Sequence, residues 1–328
     1  MTTRTLSLWL CIFAGVALIV LSLCLGPYKI NWSQLAYDIA KDNQTIETIV
    51  FFELRIPRTI MCILTGVALG TGGAALQTLL RNPLAEPSII GISSSAALGA
   101  VLVMSFQLHL VSLFFMPVGA IIFSMVAASL LVFISRRSHD HVTILLVGVG
   151  ISLLSGAATS FLLSISDNPY AVNEIVFWML GSLSNVSNDD LLLAVPFALS
   201  GALLMLSTAP AQNYFVFGGE VAASSGINVK TLRAKVILGA SLGVGGVTAI
   251  IGMVGFIGLL SPHIVRPFVG NEPRRTLIWS PVVAAALVLA ADIAIRLLPT
   301  TNELRLGVVT TLIGAPLFLY VIFKRFGH

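Results

Sequence analysis

Residues 55–87 read RIPRTIMCILTGVALGTGGAALQTLLRNPLAEP, and this stretch decides the fold class. Between Arg58 and Arg81 no residue is charged. The interval is long enough to cross a hydrocarbon layer about 30 Å thick as a helix rising about 1.5 Å per residue. Pro57 suits a first helical turn, so the sequence predicts a helix that starts at Arg55 and runs to about Leu80. Gly66, Gly70 and Ala74 recur at a spacing of four, a small-residue stripe on which another helix can pack closely. Pro83 and Pro87 then interrupt the pattern and predict a re-entrant turn.

Working outward, further apolar runs fall near 6–26, 93–106, 111–134, 142–165, 191–207, 232–251, 256–269, 277–298 and 307–323. With the first they make about ten spans, two of them short. The 328 residues are 57% apolar and 10% charged, with a mean hydropathy of +0.98, against roughly 25% charged residues in a soluble domain. Alternating patterns for a strand barrel are absent. The expectation is an all-α, polytopic membrane protein, one transmembrane domain over 1–328. The run at 6–26 is read as an uncleaved helix, because it is long for a signal peptide and bulky Leu23 occupies the place where cleavage wants a small residue.

Two connections stand out. The polar stretch at about 28–54 carries Trp32, Tyr37 and four acids and reads as an external interfacial segment. The loop at about 208–230 holds an alanine-rich core between glycines, read as a short helix stopped at Gly226. With Met1 inside, twelve of the eighteen Lys and Arg fall on the cytoplasmic side and ten of the fourteen acids outside. The positive-inside bias therefore places both termini in the cytoplasm.

Several functions are excluded. The net charge of +4 comes from basic residues scattered in short loops, so topology explains it and no nucleic-acid partner is implied. Cys11, Cys24 and Cys62 match no metal or redox spacing. No GxxxxGK[ST] loop occurs, so any ATP that drives the chain is bound elsewhere. His109 and His263 lie near span ends, and His139, His141 and His328 lie in loops. Neither a metal site nor an enzyme is expected.

Arg55 and Arg58 lie three apart at an expected helix N-terminus, where the dipole disfavours cations, and on the side where positive charge is scarce. An external anionic partner or snorkelling to headgroups explains them. Asp292 and Arg296 form an i, i+4 pair, read as structural, with Arg296 joining an outer cationic surface as the alternative. Glycines and Pro262 interrupt residues 252–266 and predict a broken helix, with His263 a hydrogen-bonded structural residue one turn from Arg266. Gly314 and Pro316 predict a kink in the last span.

These motifs together resemble the permeases of type II ATP-binding-cassette importers for vitamin B12, siderophores and haem. The matching residues are Arg55-Ile-Pro-Arg58, Gly66 with Gln77, Arg81-Asn-Pro-Leu-Ala85, Trp178-Met-Leu-Gly-Ser-Leu183, Gly255-Phe-Ile-Gly258 with Pro262, His263 and Arg266, and Gly307 with Gly314-Ala-Pro316. The resemblance implies ten helices, a second copy or close paralogue beside the first, two ATPase subunits that carry ATP and Mg, and a periplasmic binding protein. It implies that Arg55, Arg58 and Arg296 dock that protein. Asn82 and Leu84, with His141 and Val142, would form the cytoplasmic gate, and Gly219, Glu220, Ala223 and Gly226 would couple to the ATPases. Gly255, Pro262, His263 and Arg266 belong to the family motif. Ser88, Ser95 and Arg305 depart from the pattern, as does the absence of small polar residues at His141 and Val142. The expected function is import of an iron chelate, siderophore or haem, across a bacterial inner membrane, with no cofactor on this chain. A vitamin B12 permease and an ion-coupled carrier are the alternatives.

Overall fold

A computed structural model describes residues 3–112, 114–137, 140–298 and 303–326. His139, the side chain of His109, and both chain ends, with their expected cytoplasmic placement, lie outside the described residues. Every regular element among the described residues is helical. In chain order the helices are α1 (Thr3–Cys24), α2 (Trp32–Lys41), α3 (Ile46–Leu79), α4 (Ile92–Ser105), α5 (Phe115–Arg137), α6 (His141–Ser164) and α7 (Pro169–Met179). Then follow α8 (Asn188–Leu206), α9 (Ala209–Phe215), α10 (Gly219–Ser224), α11 (Val229–Ile251), α12 (Ile257–Val269), α13 (Pro273–Leu297) and α14 (Leu306–Phe326). Six are long and apolar enough to cross a membrane, and α1, α4, α12 and α14 supply four shorter apolar stretches, which together match the ten expected spans.

Helix α3 starts at Ile46, not at Arg55. Residues Val50–Arg55 are wound as a π-turn, in which the Ile56 N–H reaches back to Phe51 O. Pro57 has no N–H to give, and a wider turn just before it accommodates the ring without ending the helix. Arg55 and Arg58 therefore sit inside a helix rather than at its N-terminus, and the dipole argument does not apply to them. The start is set instead by Thr45, whose N–H donates to Thr48 Oγ1 at 2.8 Å.

The most apolar window of α3 is 83% buried, whereas that of α6 is 22% buried, so α3 is the central helix and α6 a peripheral one. Helix α3 packs against α8, α11, α12 and above all α13. Its small residues permit this. A Cβ on Gly70 would lie 2.7 Å from Ser280 O, one on Gly66 would overlap the Ala285 backbone, and one on Gly73 would overlap the Gly258 carbonyl. Hydroxyls tie other helices: Ser22 to Thr59 at 2.8 Å, Ser94 to Ser152 at 3.2 Å, and Ser95 to Ser155 at 3.0 Å.

Three connections differ from expectation or extend it. The 208–230 loop holds two helices, α9 with Pro210 in its first turn and α10, whose stop at Gly226 (φ +81) is as expected. The break between α11 and α12 is present, bounded by Gly252 (φ +77) and Phe256 (φ +67). Helix α7 was not foreseen; it starts where Asn168 Oδ1 accepts from Tyr170 N at 3.0 Å and Pro169 takes the first turn.

Gly73→Ala is expected to destabilise the protein by about 1–3 kcal/mol or more, because an added methyl meets backbone that cannot yield. Gly150→Ala is the control, since nothing lies within 4 Å of the added atom. Thermal unfolding in detergent compares the two.

Candidate functional site

Two clusters collect the chemistry-bearing residues, one at each end of α3. The first surrounds the end of α1, whose last carbonyls have no helical partner. Arg55 Nη1 donates to Leu23 O and Cys24 O at 2.7 Å each, and its Nη2 to Tyr28 O. Arg296 Nη1 donates to Ser22 O at 2.9 Å and Leu25 O at 3.1 Å, and its Nη2 to Ser22 Oγ at 2.7 Å. Asp292 balances this charge: one oxygen lies 2.8 Å from Arg296 Nη2 and the other 2.8 Å from Arg58. Arg58 also pairs with Glu303.

Relative exposures of 5% for Arg55, 8% for Arg296 and 1% for Asp292 correct the expectation that these arginines stand on an open outer surface. They turn inward because uncapped carbonyls in a low-dielectric layer cost several kcal/mol each. The expected Asp292–Arg296 pair is present, but it is part of a triad with Arg58.

The second cluster lies at the other end of α3. Arg81 adopts a left-handed backbone (φ +48), which costs a non-glycine residue roughly 1–2 kcal/mol. In that conformation its Nη2 donates to Val216 O at 3.2 Å and Phe215 O at 3.4 Å, at the end of α9 and just before α10. Asn82 Oδ1 accepts from Leu84 N at 2.9 Å and tightens the turn, leaving Leu84 43% exposed. Glu86 is buried, and burial pushes its carboxyl up to about 7 against the Phe256 N–H and Ser88 hydroxyl, which favour the charged form.

A cleft of about 820 Å³ brings Arg81 and His141 together with Gly219, Glu220 and Ala223. Asn82, Leu84, Val142 and Gly226 do not line it. Val142 is exposed on the first turn of α6, its N–H held by Asp140 Oδ1 at 3.1 Å. Helix α9 is fixed to the α12–α13 junction by Asn213, which donates to Glu272 Oε1 at 3.2 Å and accepts from Arg274 N at 2.8 Å. Of the motif residues, Arg266 donates to Gln77 Oε1 at 2.6 Å and lies 3.3 Å from His263 Nδ1, which joins α12 to α3. Pro262 is buried within α12, and Gly255 lies in the break before it.

Sequence reasoning missed Glu303, Asn213 and the reach of Arg81 to α9. Only Arg81 carried a signal, as a charge at a helix end beside a proline turn. Arg305, marked as a departure, lies over the Phe177 ring at 5.2 Å. Ser88, another departure, accepts through its carbonyl from Ser152 Oγ at 3.2 Å.

Asp292→Asn removes the counter-charge of two arginines and is expected to cost about 3–5 kcal/mol, read as thermal unfolding in detergent. For Glu86, a folded-state pKa near 7 against an ordinary value of 4.5 means the folded chain binds the extra proton. Its contribution is therefore full below pH 4.5 and is lost as pH rises through 7. Glu86→Gln should melt progressively higher than the parent as pH rises from 4.5 to about 7 and hold that margin above it; a constant offset would refute the burial argument.

Comparison with known proteins closes the case for the family. The model of the FecCD transport family matches residues 13–324. The hemin transport system permease protein HmuU of Yersinia pestis is 34% identical over 318 residues, covering 95% of each chain. The vitamin B12 import system permease protein BtuC of Vibrio cholerae is 32% identical over 309 residues, covering 94% of this chain and 89% of its own. A solved structure described as an inward-facing conformation of a metal-chelate type ABC transporter superposes with a TM-score of 0.86 at 30% identity, over 97% of this chain and 98% of that one. With nine other apolar helices beside a buried α3 among the described residues, the chain belongs to the FecCD transport family and is the multi-pass membrane permease of an ABC importer.

Proposed function

We propose that this chain is one of two permease subunits, the other a second copy or a close paralogue, that import an iron chelate from the periplasm across the bacterial inner membrane. The cargo is a siderophore or haem. Two ATPase subunits carry ATP and Mg on the cytoplasmic side, an external binding protein delivers the cargo, the permease needs no cofactor of its own, and both termini are cytoplasmic. The observation that carries this reading is the bond from Arg81 to Phe215 and Val216. It joins the 80–91 loop, with gate residues Asn82 and Leu84, to the 208–230 loop, where Gly219, Glu220, Ala223 and Gly226 meet the ATPases. Movement of α10 displaces those carbonyls and so pulls on the gate, which His141 and Val142 complete from α6.

The haem relative and the metal-chelate transporter support a chelated cargo, which asks only for a smooth apolar wall. The Vibrio relative keeps vitamin B12 as the second reading. An ion-coupled carrier is disfavoured because Asp292, its best candidate relay, is held by Arg58 and Arg296. Docking of the binding protein at Arg55, Arg58 and Arg296 then requires an exchange of partners. Arg58 is best placed for it, since the Glu303 side chain is 31% exposed and another carboxylate can replace it.

Proteoliposomes containing the permease with and without its ATPase test the reading. Uptake of haem or a ferric siderophore should need both ATPase and ATP; uptake driven by an ion gradient alone overturns it. In the full complex, Arg81→Ala should keep ATP hydrolysis while transport per ATP falls several-fold, on the order of a 0.5–2 kcal/mol coupling. Hydrolysis that falls in step with transport would argue against the link.

A further inference from the structure

We propose that an anionic phospholipid binds in the groove between the end of α8 and the start of α11, its headgroup held by Arg136, Lys230 and Lys235. The groove holds about 430 Å³, and Leu204, Ala234 and Leu238 supply its apolar wall. Along α11 the lining runs Lys230, Thr231, Ala234, Lys235 and Leu238, about 12 Å at 1.5 Å per residue, so the two lysines flank Ala234 and Leu238 lies beyond both. Cations beside an apolar wall suit a phospholipid, which joins an anionic headgroup to an acyl chain. Arg136, in the last turn of α5, and Lys230 are exposed. Lys235 is half-buried, and its Nζ donates to Ser207 Oγ at 3.4 Å.

The surroundings favour lipid over a protein side chain as the occupant. The apolar window of α8 is only 33% buried, and Leu203, beside Leu204, is 66% exposed, so this chain leaves the apolar surface beside the groove uncovered. No carboxylate lines the groove among the described residues, although Arg136 and Lys230 also line the adjoining cleft that holds Glu220. Positive-inside topology explains basic residues near helix ends. It does not explain three of them converging on one concave site above an apolar wall, the arrangement that holds anionic headgroups between membrane helices. Inorganic phosphate would leave that wall unused.

The inference rests on the cytoplasmic orientation of the 208–230 loop given under the proposed function. That orientation is tested separately by labelling Ser224→Cys, in a chain with its native cysteines replaced, with a membrane-impermeant maleimide from each side. Labelling from the outside would overturn both readings; inside labelling without lipid binding would overturn this one alone. Binding is read by native mass spectrometry of the full-length permease with phosphatidylglycerol or phosphatidylcholine of matched acyl chains. Phosphatidylglycerol should be retained on the order of tenfold better, and Arg136→Gln with Lys230→Gln and Lys235→Gln should abolish the preference. The charge-conserving Arg136→Lys, Lys230→Arg, Lys235→Arg protein should keep it, which separates charge from folding. Equal retention of the two lipids, a preference that survives charge removal, or displacement by inorganic phosphate at equal concentration would each overturn the proposal.

Discussion

The bundle depends on how closely α3 approaches its neighbours. Lipid tails are as apolar as leucine, so helices in a bilayer gain little by hiding apolar surface and hold together through contact and polar bonds. Gly66, Gly70 and Gly73 bring the α3 backbone against α13 and α12. Once α3 is seated this way, the 80–91 loop, the α11–α12 break and the Gln77–Arg266 bond follow at one end, and the arginine cluster at the other. The peripheral helices carry little of this load. Helix α6, though more apolar than α3, is ten residues shorter, 24 against 34, and is mostly turned outward.

The arginine cluster shows a second constraint, the need to meet every strong polar group inside the chain. Helix α1 ends with carbonyls that have no helical partner, and two guanidinium groups from α3 and α13 supply the donors. Arg296 then needs Asp292, which also holds Arg58, and Arg58 draws in Glu303. A chain of requirements thus begins with unmet backbone groups and ends with a carboxylate at the surface. Only the last member is open to an outside influence.

The ten spans were legible because each is a long apolar run, a signal that needs no knowledge of the neighbours. The stop at Gly226 and the break near Gly252 were legible for a similar reason, since glycine permits a backbone that other residues avoid. What stayed hidden is non-local or short. The π-turn at Val50–Arg55 has no compositional mark, and α7 and α9 are too brief to show a period. Arg55 and Arg296 were visible as costly charges, but their partners lie far away in sequence, so an external partner was the natural inference. The cleft that joins Arg81, His141 and Glu220 combines four separate segments, and no single stretch announces it.

The π-turn has a mechanical result. Because it absorbs Pro57 without ending the helix, Ile46–Leu79 is one rod of 34 residues, about 50 Å at 1.5 Å per residue and longer than the oily layer is thick. Such a rod resists stretching and bending, so a tilt imposed by the arginines at its head must reappear at its foot beside Arg81. Had Pro57 begun a separate helix, a flexible joint would have absorbed that tilt, and the two faces of the membrane would have been mechanically deaf to each other.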